Sequence, residues 1–195
     1  MLEIILASKS KVRKKILDEN YILNRVEPSK VDEDTVKNSL IKEKASPTII
    51  SKNLAELKAN KVSLKNPGTI VLGADSVIDL DNQIISKPIN RKEALDILIK
   101  LNGKKHYLIS SVCISLNGIM IWNYSDKASL TMKNFSKQEL EEYLLKISDE
   151  TLYAYNVYQI EGEGRNLFSS IKGDKNTIMG LPVTKIKEYL NNYKS

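Results

Sequence analysis

Short apolar runs and helix-period stripes alternate along the first half of the chain. Leu2–Leu6 (LEIIL) reads as a buried strand. Ser8–Asn20 reads as a helix with Val12, Ile16 and Leu17 on its apolar side, and Tyr21–Val26 as a second strand. Ser46-Pro47 is a helix start, with serine at the cap and proline at the first helical position, and SPTIISKNLAELKANKV continues it with helical periodicity. Thr69–Ala74 (TIVLGA) is a short, continuously apolar strand. Ser76–Ser86 reads as a hairpin turning at Asp81-Asn82.

The second half carries its own punctuation. Asn90 caps the helix RKEALDILIKL, Glu93 completes a capping box, and Gly103 ends the helix. Two long strands follow, Tyr107–Leu116 and Ile119 to about Lys133, joined by Asn117-Gly118. Ser136 and Glu139 form another capping box before SKQELEEYLLKI, and LPVTKIKEYLNNY runs as a closing helix. Helices alternating with strands early and hairpins in the middle predict a mixed-sheet α/β protein.

Bulk composition narrows the function classes. The 195 residues, 42% apolar, suffice for one domain or one domain with two lobes. No run approaches the ~18 apolar residues of a membrane span. The opening residues lack a signal-peptide pattern, so a cytoplasmic protein is expected. One cysteine excludes a disulfide framework and a multi-cysteine metal site; Cys113, in SSVCISL, is expected on a buried strand. The net charge of +6 permits an anionic partner, although most lysines are interleaved with acids as on a solvated surface. The exception is ASKSKVRKKIL, where five cations precede the first acid, Asp18.

Five places could carry chemistry. Strand, Ala-Ser, then helix makes an anion site at a helix N-terminus, with Ser8, Arg13 and Lys14 as a polyphosphate cradle; the alternative is a basic surface helix. Gly73-Ala74-Asp75, with Ser76 behind, puts a carboxylate at the end of a strand, where it could hold Mg²⁺ or orient a water; the alternative is a turn aspartate. The acidic trio Asp32-Glu33-Asp34 could add a metal ligand or be a solvated loop. Lys87, fixed before Pro88, could reach a phosphate or lie on the surface. Glu161, in YQIEGEG, could accept from the donor edge of a base, or the stretch could be an ordinary turn. His106, the only histidine, is expected to be structural.

Taken in order, ASKSKVRKKIL, VDE at 31–33, LAELKANKV, LGADSVIDLDNQIISKP, LNGKKHYLISSV, YQIEGEG and IKGDKNTIMGLPV resemble the Maf family of nucleoside triphosphate pyrophosphatases, also called septum-formation inhibitors. The resemblance runs from Ile4 to the closing helix. It implies a single domain over residues 1–195, with two lobes around a deep cleft and an elongated mixed sheet flanked by helices, similar to the inosine triphosphate pyrophosphatases. It also implies hydrolysis of a nucleoside triphosphate to the monophosphate and pyrophosphate with a divalent metal (Mg²⁺ or Mn²⁺), a house-cleaning role, and a role in cell-division arrest. Asp75 matches the general base and, with Glu33, the metal site. Ser8, Arg13, Lys14, Lys52, Lys58 and Lys87 match substrate-binding positions. Val12, Ser76 and Glu161 stand where the base is chosen, and Val12 replaces the first arginine of an S-P-R-R opening. The E-G pattern and KNTIMGLP are closer to the subgroup acting on 7-methyl-GTP. A homodimer is compatible with the family, and neither a membrane nor nucleic acid is an expected partner. The alternative is a non-enzymatic basic regulator binding nucleic acid or a division protein. It lacks the aromatic residues that would be interleaved with the cations as stacking platforms.

Overall fold

A computed structural model describes residues 2–193, the side chains of residues 153–155 excepted. The elements in chain order are β1 (Ile4–Leu6), α1 (Lys11–Glu19), β2 (Asn24–Val26), α2 (Glu33–Lys42), α3 (Pro47–Ser63), β3 (Val71–Leu80), β4 (Gln83–Ile85), α4 (Arg91–Leu101), β5 (Lys105–Leu116), β6 (Ile119–Met132), α5 (Lys137–Leu145), α6 (Asp149–Tyr155), a 3₁₀ turn (Glu163–Leu167), β7 (Phe168–Lys172), α7 (Lys175–Ile178) and α8 (Val183–Asn192). The strands form one sheet in the order β2-β1-β3-β5-β6-β7, with β4 paired to β3. β1 runs parallel to β2 (Ile5 opposite Arg25) and to β3 (Leu6 opposite Leu72), whereas β3–β4 and β6–β7 are antiparallel. This is the mixed-sheet α/β architecture that the patterning predicts, with the flanking helices that the resemblance implies.

Local signals account for most of the elements. Ser46, Asn90 and Ser136 cap α3, α4 and α5 with their side chains, and the Ser136/Glu139 capping box is complete. At Asn90 the return half differs, because the Glu93 carboxylate accepts from the Ile89 N–H one residue earlier. The Asp81-Asn82 and Asn117-Gly118 turns both take positive φ at their two residues, as two-residue hairpins require.

Three expectations need correction. Helix α1 begins at Lys11 rather than Ser8, because the Ser10 hydroxyl, not that of Ser8, accepts from the Arg13 N–H. Asp32, Glu33 and Asp34 are not in a loop: Asp32 caps α2, and the two others form its first turn, where acids complement the helix dipole. Asp75 does not end a strand. β3 continues unbroken from Val71 to Leu80, with Asp75 at its middle. The parallel partner β1 pairs with β3 only as far as Leu72, so Asp75 still lies beyond the carboxyl end of β1.

The chain divides into two compact units. The first comprises the residues up to Val77, Ile109–Lys127 and those from Asp174 on. Here the period-two alternation of strand side chains is buried on both faces. Ile4, Leu6, Leu72, Ala74, Val112 and Ile114 pack with Ile16, Leu17 and Ile186 of α1 and α8, while Cys113 packs with Ala55 and Ala59 of α3. Gly73 faces α3 as well. A Cβ there would overlap the Ala55 carbonyl oxygen and stand 2.7 Å from the Ala59 nitrogen. Burial pushes the Cys113 thiol up to about 11, as expected of an inert strand cysteine.

The second unit comprises Ile78–Leu108 and Ala128–Gly173. Arg91 of α4 closes the end of α5, donating to the carbonyls of Leu144 (2.7 Å) and Ile147 (2.8 Å). His106 is fully buried, 2.9 Å from the Tyr158 hydroxyl and beside the Phe168 ring. Its structural role is as expected. Among the described residues no helix is long and apolar enough to cross a membrane.

Candidate active site

In the first unit, β3, α3 and α2 bring three charges together. Gly73 lets α3 lie directly on β3. One residue before Ala59, Lys58 then reaches across to the strand residue two beyond Gly73. The Lys58 ammonium sits 2.8 Å from Asp75 Oδ1 and 2.7 Å from Glu33 Oε2. Lys58 and Asp75 are 5% and 7% exposed, whereas the Glu33 carboxylate reaches solvent. The strand is held from the same helix, because the Ser51 hydroxyl donates to the Asp75 carbonyl at 3.2 Å. A buried ion pair of this kind needs its remaining atoms satisfied. Asp75 Oδ2 is not: it is buried without a hydrogen-bond partner. Such an atom in an otherwise paired cluster marks a place for a ligand or a water.

A second polar group adjoins it. The Arg13 guanidinium donates from Nε to the Gly180 carbonyl (2.9 Å), from Nη1 to Ser8 Oγ (3.1 Å) and the Ala74 carbonyl (3.0 Å), and from Nη2 to Ser76 Oγ (3.1 Å). Burial lowers the Arg13 pKa from its usual value, and Asp75 and Glu33 act in the opposite direction. Ser76 continues to Ser110 Oγ at 2.9 Å, Ser110 donates to the Thr177 carbonyl at 2.7 Å, and the Thr177 hydroxyl donates to Asp126 at 2.6 Å.

The first unit thus gathers Asp75, Lys58, Glu33, Arg13, Ser8 and Ser76. Lys14 pairs with Asp18 at 2.6 Å on the exposed side of α1, Lys15 approaches Glu19 at 3.7 Å, and Lys9 and Lys11 are exposed. Lys52 is exposed on α3. Val12 is half-buried against the α1–α8 core. Lys87 and Glu161 are exposed in the second unit, where Lys87 lines a shallow pocket of about 260 Å³ with Glu93, Asp96 and Lys100.

One charged residue escaped the sequence. Lys37 lies one helical turn after Glu33, on the same side of α2. Burial lowers its pKa, and Asp75 is the strongest charge opposing that shift, ahead of Asp34 and Glu33. An i,i+4 spacing from Glu33 was the available signal, and it is visible only once 33–42 is known to be helical. Ser110, Thr177 and Asp126 carried no local signal at all.

Oxygen donors of this kind suit Mg²⁺ or Mn²⁺. Among the described residues no three His, Cys, Asp or Glu side chains converge, so the protein offers two carboxylates, Asp75 and Glu33. Mg²⁺ commonly accepts one or two carboxylates, with water and substrate phosphates completing its shell. Together with the orphaned Asp75 Oδ2, the residues fit such an ion.

A family model described as "Maf-like protein" matches residues 3–193. A protein of Pelagibacter ubique named "Nucleoside triphosphate pyrophosphatase" is 76% identical over 188 residues, 96% of each chain. A "7-methyl-GTP pyrophosphatase" of Brucella abortus is 34% identical over 193 residues, covering 99% of this chain and 97% of that protein. A crystal structure titled "Nucleoside-triphosphatase / dITP/XTP pyrophosphatase", from Mycobacterium abscessus, aligns over 97% of this chain and 94% of its own, at 10% identity and a TM-score of 0.47.

Proposed function

The chain belongs to the Maf-like protein family, and from that premise we propose that it hydrolyses nucleoside triphosphates to the monophosphate and pyrophosphate. The observation that carries this reading is Asp75: a buried carboxylate fixed through Oδ1 by Lys58, with Oδ2 unpartnered. A water oxygen bonds to the α-phosphorus, the bond from that phosphorus to the bridging oxygen breaks, and its electron pair leaves with pyrophosphate. The proton of the attacking water passes to the Asp75 carboxylate. Lys58 keeps the carboxylate in one orientation, and Ser8 and the first turn of α1 face the phosphates with donors. Asp75 and Glu33 would hold a divalent metal, which when bound neutralises charge on the phosphate oxygens.

Cytoplasmic action on a purine nucleotide is the finer reading. Glu161 is an acceptor suited to the N1 and N2 donors of a guanine-type base, and the Brucella abortus relative is named for 7-methyl-GTP. For Lys14, Lys52, Lys87 and Val12 the support is their place in the family motifs alone. The test is incubation with Mg²⁺ or Mn²⁺ and a panel of canonical and methylated nucleoside triphosphates, measuring both pyrophosphate and orthophosphate. Pyrophosphate release is expected; orthophosphate release alone would overturn the reaction. Glu161→Gln should reorder the substrate panel, and an unchanged order would remove Glu161 from base recognition.

A further inference from the structure

Arginine carries five N–H groups and no acceptor. Arg13 directs four of them at protein: one from Nε to Gly180, two from Nη1 to Ser8 and Ala74, and one from Nη2 to Ser76. A single Nη2 hydrogen is left. The four acceptors belong to three segments that are distant in sequence: the loop after β1, the Asp75 strand and the loop after α7. Gly180 fits this role by shape. Its φ is +96°, and a Cβ there would stand 3.1 Å from Ser76 Oγ and 3.5 Å from Arg13 Nε.

The hydroxyl protons follow by elimination. Ser110 spends its one proton on the Thr177 carbonyl, so in the Ser76–Ser110 contact Ser76 is the donor. Ser76 accepts from Arg13 and donates its one proton to Ser110. Ser8 differs. Its oxygen accepts from Arg13 Nη1 at 3.1 Å and from the Ser10 N–H at 3.3 Å, which fills both lone pairs. Only its proton remains, so Ser8 can act outward solely as a donor.

We propose that Arg13 is a positioning residue: it acts on the substrate's phosphates through Ser8, which it converts into an obligate donor, and it locks the loop ending at Gly180 onto the Asp75 strand through the Ser76–Ser110–Thr177 chain. The assignment rests on the triphosphate reading above. A cation that touched phosphate directly would present its fork to solvent; this one turns it inward.

The test is a double-mutant cycle with Ser8→Ala and Arg13→Lys, which keeps the charge and removes the fork. Steady-state kinetics of pyrophosphate release are combined with hydrogen exchange of the amides at 176–181. Arg13→Lys should lower kcat/KM about 100-fold in the native background and less than about 5-fold in the Ser8→Ala background. It should also speed exchange at 176–181, as should Ser110→Ala. Equal losses in both backgrounds would show that Arg13 acts independently of Ser8 and would overturn the proposal. If Arg13→Lys does not fold, Ser76→Ala and Ser110→Ala decide: native exchange and native kcat/KM in both would overturn the lock. A native protein that releases no pyrophosphate from any triphosphate would defeat the triphosphate reading, and the exchange data would still decide the lock.

Discussion

Each unit of this chain buries a titratable side chain, and it does so in opposite ways. Asp75 is enclosed as one of three charges, with Lys58 bonded to it and to Glu33, and one of its oxygens is left over. His106 is enclosed among rings, with the Tyr158 hydroxyl 2.9 Å away, and burial lowers its pKa to about 4. A neutral imidazole in an aromatic pocket is a packing element, because it costs little to bury and has nothing to do. A carboxylate beside an ammonium is costly to bury, and its unsatisfied oxygen is tolerated where chemistry uses it. His106 Nδ1 is also buried without a hydrogen-bond partner, so neither burial nor an unspent atom alone marks a site; the two together with a counter-charge do.

The largest effect should come from breaking the charged side of this contrast. Asp75→Asn keeps the shape and removes the base, and turnover should fall about 10³-fold with near-native circular dichroism. Native turnover would place the base elsewhere. Lys58→Met should act on stability as well as on turnover, because it removes the ammonium that bonds both the Asp75 and Glu33 carboxylates. A loss of about 3 kcal/mol is expected in urea unfolding.

The neutral side has its own signature, in pH. The folded pKa of His106 lies below the unfolded value of 6.5, so the unfolded chain binds the extra proton first. Its contribution is therefore complete above about pH 6.5, falls as pH drops toward 4, and changes no further below that. About 3 kcal/mol is at stake over that window. His106→Asn should flatten this part of the stability profile and leave turnover at neutral pH close to native. The smallest effect is reserved for Lys37. Lys37→Met should raise KM for a triphosphate about 3-fold with kcat unchanged, and Lys37→Arg should restore it. An unchanged KM would make Lys37 a surface charge.

Much of the local structure was legible. Caps at Ser46, Asn90 and Ser136 and the turns at Asp81-Asn82 and Asn117-Gly118 are signals contained within four residues, and the structure realises each. Helix α2 was missed because it has no buried residue and so presents no apolar stripe to read. The start of α1 was misplaced because Ser8 and Ser10 are equally good caps on paper. Under either start Lys14 and Lys15 fall one turn before Asp18 and Glu19 and face them.

The amino-acid sequence by itself determined most of the local elements and the family, and singled out Asp75 as a candidate through its Gly-Ala-Asp setting. It could not determine that Lys58, not a residue of the basic cluster, is the cation on Asp75, nor that Arg13 turns its fork inward to Gly180, a residue 167 positions away. Caps and turns are decided by hydrogen bonds between near neighbours. The charge cluster is decided by how closely a helix can approach a strand. That approach depends on the absent side chain of Gly73 meeting Ala55 and Ala59, a coincidence that exists only once the sheet and α3 have packed.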